Sequence, residues 1–91
     1  MAITVLVPYP LRDTCGGASQ VEVSAQSVRA ALDDLERRYP AFHRSVCDET
    51  GAVRRHVNVF VNTANVRDLG GLDTALAPGD VVTILQSVSG G

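Results

Sequence analysis

Two apolar stretches, Ile3-Thr4-Val5-Leu6-Val7 and Val81-Val82-Thr83-Ile84-Leu85, decide the fold of this 91-residue chain. Both are rich in β-branched residues, and Pro8 ends the first while Pro78-Gly79 precedes the second, so each predicts a strand. They are the most continuously apolar strands, and we therefore expect them at the centre of a sheet. Because they are far apart along the chain, placing them side by side makes a parallel central pair.

Alternating residues in the remaining apolar stretches predict further strands around this pair. Val21–Val23 alternates apolar and polar residues and follows a turn at Gly16-Gly17, which predicts a hairpin with the first strand. Residues 56–62 place three valines on one face and Asn58, Phe60 and Asn62 on the other, as a half-buried strand does. A brief extended piece is expected at Val66-Arg67.

One amphipathic helix is predicted between the second and third strands. Its apolar positions recur at helical spacing, at Val28, Ala31, Leu32, Leu35 and Tyr39. Ser27 is expected to cap the first turn, and Pro40 to end the helix. Residues 41–46 predict one short helical turn, and residues 47–55 predict an exposed loop.

The order β-β-α-β-(β)-β predicts an α+β fold of the β-grasp, or ubiquitin-like, type: a mixed sheet of four to five strands covered by one main helix. We expect the domain to span residues 1–88, followed by a flexible Ser-Gly-Gly tail at residues 89–91. The valines at 57, 59 and 61 are expected to face the helix.

The composition excludes several classes of protein. Ten acidic residues and eight arginines, with no lysine, leave a formal charge of −2, and 45% of the residues are hydrophobic. A disordered chain and a free-standing nucleic-acid binder do not have this balance. No apolar run approaches the roughly 20 residues of a membrane span, and no basic leader precedes the first strand. We therefore expect a cytoplasmic protein with neither nucleic acid nor membrane as a partner.

The cysteines and histidines do not form a recognisable reactive centre. Cys15 and Cys47 are 32 positions apart, which is neither a C-x-x-C motif nor a disulfide framework, so reduced thiols are expected, buried or at the surface. His43 and His56 are isolated. No metal site and no bound cofactor are predicted.

The feature with functional content is Gly90-Gly91 after the last strand. Two glycines contribute no side chain to packing, and their conformational freedom suits a flexible end. A frayed end is the plain interpretation of such a pair. A Gly-Gly end on a β-grasp pattern favours a different interpretation, in which the carboxylate of Gly91 reacts and Gly90 is its spacer.

The sequence resembles the ubiquitin-like sulfur-carrier proteins of the ThiS and MoaD families, and most closely the CysO-type carriers of cysteine biosynthesis. The motifs that carry the resemblance span nearly the whole chain: Leu11-Arg12, Gly16-Gly17, Asp34-Leu35-Glu36, Val57-Asn58, Val61-Asn62, Val66-Arg67, Gly70-Gly71-Leu72, Gly79-Asp80, Val82-Thr83-Ile84-Leu85 and the terminal Gly-Gly. Gln86 departs from the pattern, since many members have proline before the tail.

The resemblance implies a carrier that is not itself an enzyme. An adenylating sulfurtransferase of the E1-like or MoeB-like type would use ATP to activate Gly91, and a sulfur donor would then leave a C-terminal thiocarboxylate. In CysO-type systems the acceptor is a PLP-dependent cysteine synthase, and a JAMM-type metallopeptidase releases the cysteine. The small subunit of molybdopterin synthase, a protein modifier and a plain interaction module remain as alternatives.

The partner surface is expected on the outer face of the sheet. Phe60, Leu85 and Leu6 should point away from the helix, and Val88 and Ser89 lie at the root of the tail. Such an apolar patch suits partner docking unless the chain's own loops cover it. Arg12 and Arg67 are candidates for pairing with partner carboxylates, although solvated or weak local pairs are the more common state of such arginines.

Overall fold

The structure, a computed structural model, describes residues 2–86, and in this range five strands form one mixed sheet. The strands are β1 (Ile3–Leu6), β2 (Gln20–Val23), β3 (Val57–Val61), β4 (Ala64–Asn65) and β5 (Val81–Gln86), in the order β2-β1-β5-β3-β4. β1 and β5 are parallel neighbours at the centre, and the other pairs are antiparallel. The predicted central pair and the hairpin of β1 with β2 are confirmed.

Two helices lie on one side of the sheet, α1 (Val28–Arg38) and α2 (Pro40–Val46). The Ser27 hydroxyl accepts a hydrogen bond from the Ala30 amide at 3.1 Å, which confirms the predicted cap. Pro40 both ends α1 and begins α2, where its missing N–H has no helical partner to lose. α2 therefore has seven residues instead of the single turn predicted. Three short 3-10 segments complete the described part: Tyr9–Cys15, Val66–Asp68 and Gly71–Asp73.

The hydrophobic core lies between the helices and one face of the sheet. The alternate residues predicted for that face come from β1, from the position just after it and from β5. They are Ile3, Val5, Val7, Val82 and Ile84, each at most 2% exposed. The three valines of β3 and the apolar stripe of α1 face them. Together these contacts confirm the predicted α+β fold of the β-grasp type, with one main helix on the sheet.

Two local predictions are wrong. Val66 and Arg67 are not extended: they begin a 3-10 segment, because the Asn65 side chain accepts the Arg67 amide at 2.9 Å and caps it. Cys47 is not exposed with the rest of residues 47–55: it is 1% exposed, and it forms an isolated β-bridge with Val53 that folds the loop back over it. Within residues 2–86, no helix is long and apolar enough to cross a membrane.

Candidate functional site

Apolar side chains lie on the face of the sheet that the helices leave open. Leu6 and Phe60 are both register partners of Thr83, so the three form a row across β1, β5 and β3. Leu85 follows on the same face and is 47% exposed, while Leu6 is 36% exposed. We call these four residues the outer-face surface. The predicted placement of Leu6, Phe60 and Leu85 is confirmed, and the described loops leave the two leucines open to a partner.

The chain leaves this sheet at a defined end. Gln86, the last described residue, pairs with Val57 at the start of β3. Since β5 runs parallel to β1, the same end of the sheet carries the segment that follows Leu6. We call it the exit end. Val88, Ser89, Gly90 and Gly91 lie outside the described residues, and their predicted roles stay predictions.

Arg67 holds the main chain at the exit end. Its two terminal nitrogens donate to the Val57 carbonyl at 2.9 Å and to the Asn58 side-chain oxygen at 2.7 Å. The carbonyls of Arg54 and Arg55 lie at 3.4 and 3.5 Å from the same guanidinium. Arg67 is therefore neither freely solvated nor in a weak ion pair: it fixes the start of the strand that pairs with Gln86.

Arg12 lies on the other flank of the exit end. Its Nε donates to the Val7 carbonyl at 3.2 Å, and its guanidinium carbon lies 5.5 Å from the centre of the Tyr9 ring, within the range of a cation–π contact. Tyr9 itself is 80% exposed. Sequence reasoning missed this exposed aromatic residue, because its position between Pro8 and Pro10 gives no strand or helix pattern to place it.

The opposite end of the sheet is closed by polar contacts between β3 and β5. Asn62, with φ of 55°, donates from its amide nitrogen to Asp80 at 3.1 Å, and its amide oxygen accepts from the Val81 N–H at 3.1 Å. The Ala77 N–H donates to the other Asp80 oxygen at 2.8 Å. This backbone hydrogen bond, followed by that from Asn62, lowers the pKa of Asp80. These contacts anchor β5 where it begins, away from its exit.

The two thiols are buried in the core. Cys15 is 2% and Cys47 1% exposed, and neither forms a disulfide. Burial raises the pKa of both thiols. The pKa of Cys47 rises to about 11, because the neighbouring Asp48 and Glu36 carboxylates add to the effect of burial there. At neutral pH neither is a nucleophilic thiolate. Across residues 2–86, no group of three or more His, Cys, Asp or Glu side chains is arranged to hold a metal ion.

Comparisons with known proteins agree with this architecture. The chain matches the model of the ThiS family over residues 5–91. It is 42% identical to the sulfur carrier protein CysO of Mycobacterium tuberculosis, over 100% of both chains. It superimposes on the crystal structure of that species' CysO with a TM-score of 0.87 and 41% identity, covering 94% of this chain and 99% of the other.

A second solved structure is similar over the same length. A chain of the Amycolatopsis orientalis BexX/CysO complex matches with a TM-score of 0.90 and 38% identity, covering 99% of this chain and 100% of that one. The similarity therefore includes the strands that carry the outer-face surface. With a family match and full-length relatives that agree, this chain belongs to the ThiS family, and its β-grasp fold is that of the CysO carriers.

Proposed function

We propose that this chain is a sulfur carrier whose reactive group is the carboxylate of Gly91, with Gly90 as a flexible spacer. The observation that carries the proposal is the 42% identity, over 100% of both chains, to a protein named sulfur carrier protein CysO. The Gly-Gly pair lies within that full-length match. A carrier of this kind acts as the co-substrate of partner enzymes and is not itself an enzyme.

The proposed activation makes a poor electrophile reactive. The Gly91 carboxylate attacks the α-phosphate of ATP on an E1-like, MoeB-like adenylating enzyme, which forms the acyl-adenylate and releases pyrophosphate. Hydrosulfide delivered by a sulfur donor then attacks the acyl carbon and expels AMP, leaving a thiocarboxylate and a proton. ATP is bound by the partner, and the carrier holds no cofactor of its own. Glycine suits this position because a narrow channel has no space for a Cβ.

The outer-face surface supports this proposal by offering a docking site next to the exit end. The partner must hold the folded domain while the C-terminus lies in its active site. Leu85 is half-exposed on β5, one residue before Gln86, and Phe60 is on the neighbouring strand. Val88 and Ser89 would extend this contact along the tail. A central apolar patch with a polar surround is the usual form of such interfaces.

We further propose that the sulfur acceptor is a PLP-dependent cysteine synthase, as in CysO-type systems. The thiocarboxylate sulfur would add to the β-carbon of an aminoacrylate, and the new cysteine would stay attached to the carrier until a JAMM-type metallopeptidase hydrolyses it. A cytoplasmic location is part of this proposal. Incubation of the thiocarboxylate form with such a synthase and an activated serine, from which the aminoacrylate forms, should give a carrier with one added cysteine. Thiocarboxylate that persists with an active synthase would contradict this acceptor.

Intact mass spectrometry tests the activation step. The full-length chain is incubated with the adenylating enzyme, ATP and sulfide, and its mass should rise by the difference between one sulfur and one oxygen atom. A variant lacking Gly91 is the matched control, because it keeps the whole described fold. An unchanged wild-type mass, under conditions that load a control carrier, would overturn the proposal, and loading of the truncated chain would refute the assigned site.

A second candidate function is a protein modifier. The chain is 37% identical to small archaeal modifier protein 3 of Haloferax volcanii, over 71% of this chain and 70% of the other. A modifier would join Gly91 to lysines of other proteins. The chain has no lysine, so conjugates through lysine side chains would involve its targets and never a second copy. Isopeptide-linked conjugates in the source cells, in the absence of carrier-bound cysteine, would favour this candidate.

A further inference from the structure

Three arginines surround the exit end. Arg12 is bound to the Val7 carbonyl just after β1, and Arg67 is bound to the Val57 carbonyl at the start of β3. Arg55 lies two residues before Val57, and its own carbonyl is 3.5 Å from the Arg67 guanidinium. We call Arg12, Arg55 and Arg67 the cationic rim. The three residues come from separate segments of the chain. Strand pairing in the sheet brings these segments to the exit end.

The charges of the cationic rim are not neutralised by the described part of the chain. The arginines that form ion pairs within residues 2–86 are Arg29, Arg37 and Arg38, which bind Asp73 or Asp34. Asp13 and Asp68 are exposed and adjacent in sequence to rim residues, yet neither forms an ion pair with them. The contacts of Arg12 and Arg67 are with carbonyls, an amide and a ring, which leave their positive charge uncompensated.

The rest of the protein has the opposite charge. Three of the eight arginines form the rim, with Asp13 and Asp68 beside them in the sequence, so the remainder carries five arginines against eight acidic residues. An acidic surface on another protein would therefore attract the exit end and repel most of the remaining surface. Charge separation of this kind orients an encounter before contact and raises the association rate by about 10- to 1,000-fold.

We propose that the cationic rim docks on an acidic surface beside the active site of the adenylating enzyme. This inference rests on the proposed function, which requires Gly91 to enter that site. Gly91 is the fifth residue after Gln86, and a fully extended chain of five residues spans about 17 Å. The partner must therefore approach the exit end closely, where the rim is the dominant charge. The rim orients the carrier, and the outer-face surface provides the apolar contact.

The test measures ATP–pyrophosphate exchange by the purified adenylating enzyme, with the full-length chain as its varied substrate. In the double variant Arg12→Glu/Arg55→Glu we expect KM for the carrier to rise about 10- to 100-fold at low salt with kcat unchanged. Salt at about 0.5 M should reduce the difference to a few-fold, because it screens exposed charges. Arg67 is kept, since it also holds the main chain.

Arg29→Glu is the matched control. It makes the same charge change as Arg55→Glu alone, and half that of the double variant, in the first turn of α1, which follows β2 at the opposite end of the sheet. The exposed pair with Asp73 is lost. Its KM should stay within about twofold of the wild type, because Arg29 lies at the end of the sheet away from the partner, where a charge has little effect on the encounter. Arg55→Glu alone provides a variant with no described side-chain contact to lose, should the double variant be unstable.

The outcomes separate the two proposals. The role of the rim alone is overturned if the wild-type chain supports exchange and the rim variants leave KM unchanged. It is also overturned if Arg29→Glu raises KM as much as the rim variants do. A lower KM in the rim variants also overturns it, since it means that the rim holds the chain's own acidic C-terminus. A wild-type chain that supports no exchange contradicts the proposed function and, with it, the rim's role.

Discussion

The two faces of the sheet show how one strand can serve two purposes. On the helix-covered face, Val82 and Ile84 of β5 are each 1% exposed. On the open face, Leu85 of the same strand is 47% exposed, and Thr83 lies between Leu6 and Phe60. Under the proposed function, neighbouring residues therefore differ in what a substitution affects: stability on one face, and partner recognition on the other. Substitutions on the two faces test this division.

Truncation on the covered face should have the largest effect. Ile84→Ala removes a fully buried side chain from the central strand, and the free energy of unfolding should fall by about 2–5 kcal/mol. Urea denaturation followed by circular dichroism measures it. Leu85→Ala, one residue along, is the matched control and should change the free energy by less than about 1 kcal/mol. Equal losses at the two positions would contradict the division between faces.

The buried thiols should make the covered side sensitive to high pH. The folded protein keeps Cys47 protonated up to about pH 11, whereas the unfolded chain ionises near its ordinary value of 9.0. The unfolded state therefore binds fewer protons between these two pH values. The contribution of Cys47 to the free energy of unfolding should be fully present below pH 9 and be lost as the pH rises toward 11.

Thermal denaturation between pH 8 and 11 measures this fall, and Cys47→Ala should flatten the profile. At pH 8 both native thiols should also react with iodoacetamide at least about tenfold more slowly than in the urea-unfolded chain. Rapid alkylation of the native protein would show that the thiols are not held in the core.

A polar substitution on the open face should weaken recognition and leave the fold intact. Leu85→Ser should raise KM for the carrier in the exchange reaction by about tenfold, since a central interface residue contributes more than about 1 kcal/mol. Leu69→Ser is the matched control, because Leu69 is 48% exposed but is not part of the outer-face surface. The effect should persist at high salt, unlike that of the cationic rim. If high salt abolished the increase in KM of Leu85→Ser, an apolar contact at this position would be contradicted.

The smallest effect is expected at Arg67, which is exposed but binds main-chain carbonyls. Arg67→Met removes its hydrogen bonds to Val57 and Asn58 and should cost about 1 kcal/mol of unfolding free energy, measured by urea denaturation. Arg67→Lys should recover less than half of the unfolding free energy that Arg67→Met loses, because an ammonium group cannot reproduce the planar fork of donors. Full recovery by lysine would mean that charge alone, and not geometry, is what this position requires.

Much of the fold was predictable because its decisive features are local. Strand alternation placed Val57, Val59 and Val61 on the covered face, and the helical spacing after Ser27 placed α1. The errors arose where side chains override the local pattern. Asn65 turns the expected extended piece at Val66-Arg67 into a 3-10 segment, and the bridge to Val53 buries Cys47 in an otherwise polar loop.

The candidate site was predictable only in part. Opposite-face alternation was enough to place Phe60 and Leu85 on the open face, and the Gly-Gly pair indicated the reactive end. Tyr9 was missed because its position between Pro8 and Pro10 gives no strand or helix pattern. The backbone role of Arg67 was missed because it depends on contacts with a separate segment, the start of β3. No periodicity in the sequence records such contacts.

The sequence by itself determined the strands, the main helix, the apolar face of each and the presence of a Gly-Gly end, because hydrophobic periodicity and turn residues act over a few positions. Only the tertiary structure places Arg12, Arg55 and Arg67 around the end where β5 leaves the sheet. The parallel pairing of β1 with β5 and the antiparallel pairing of β3 with β5 bring three separate segments to one end. That convergence is a property of strand direction in the folded sheet, which no single stretch of sequence contains.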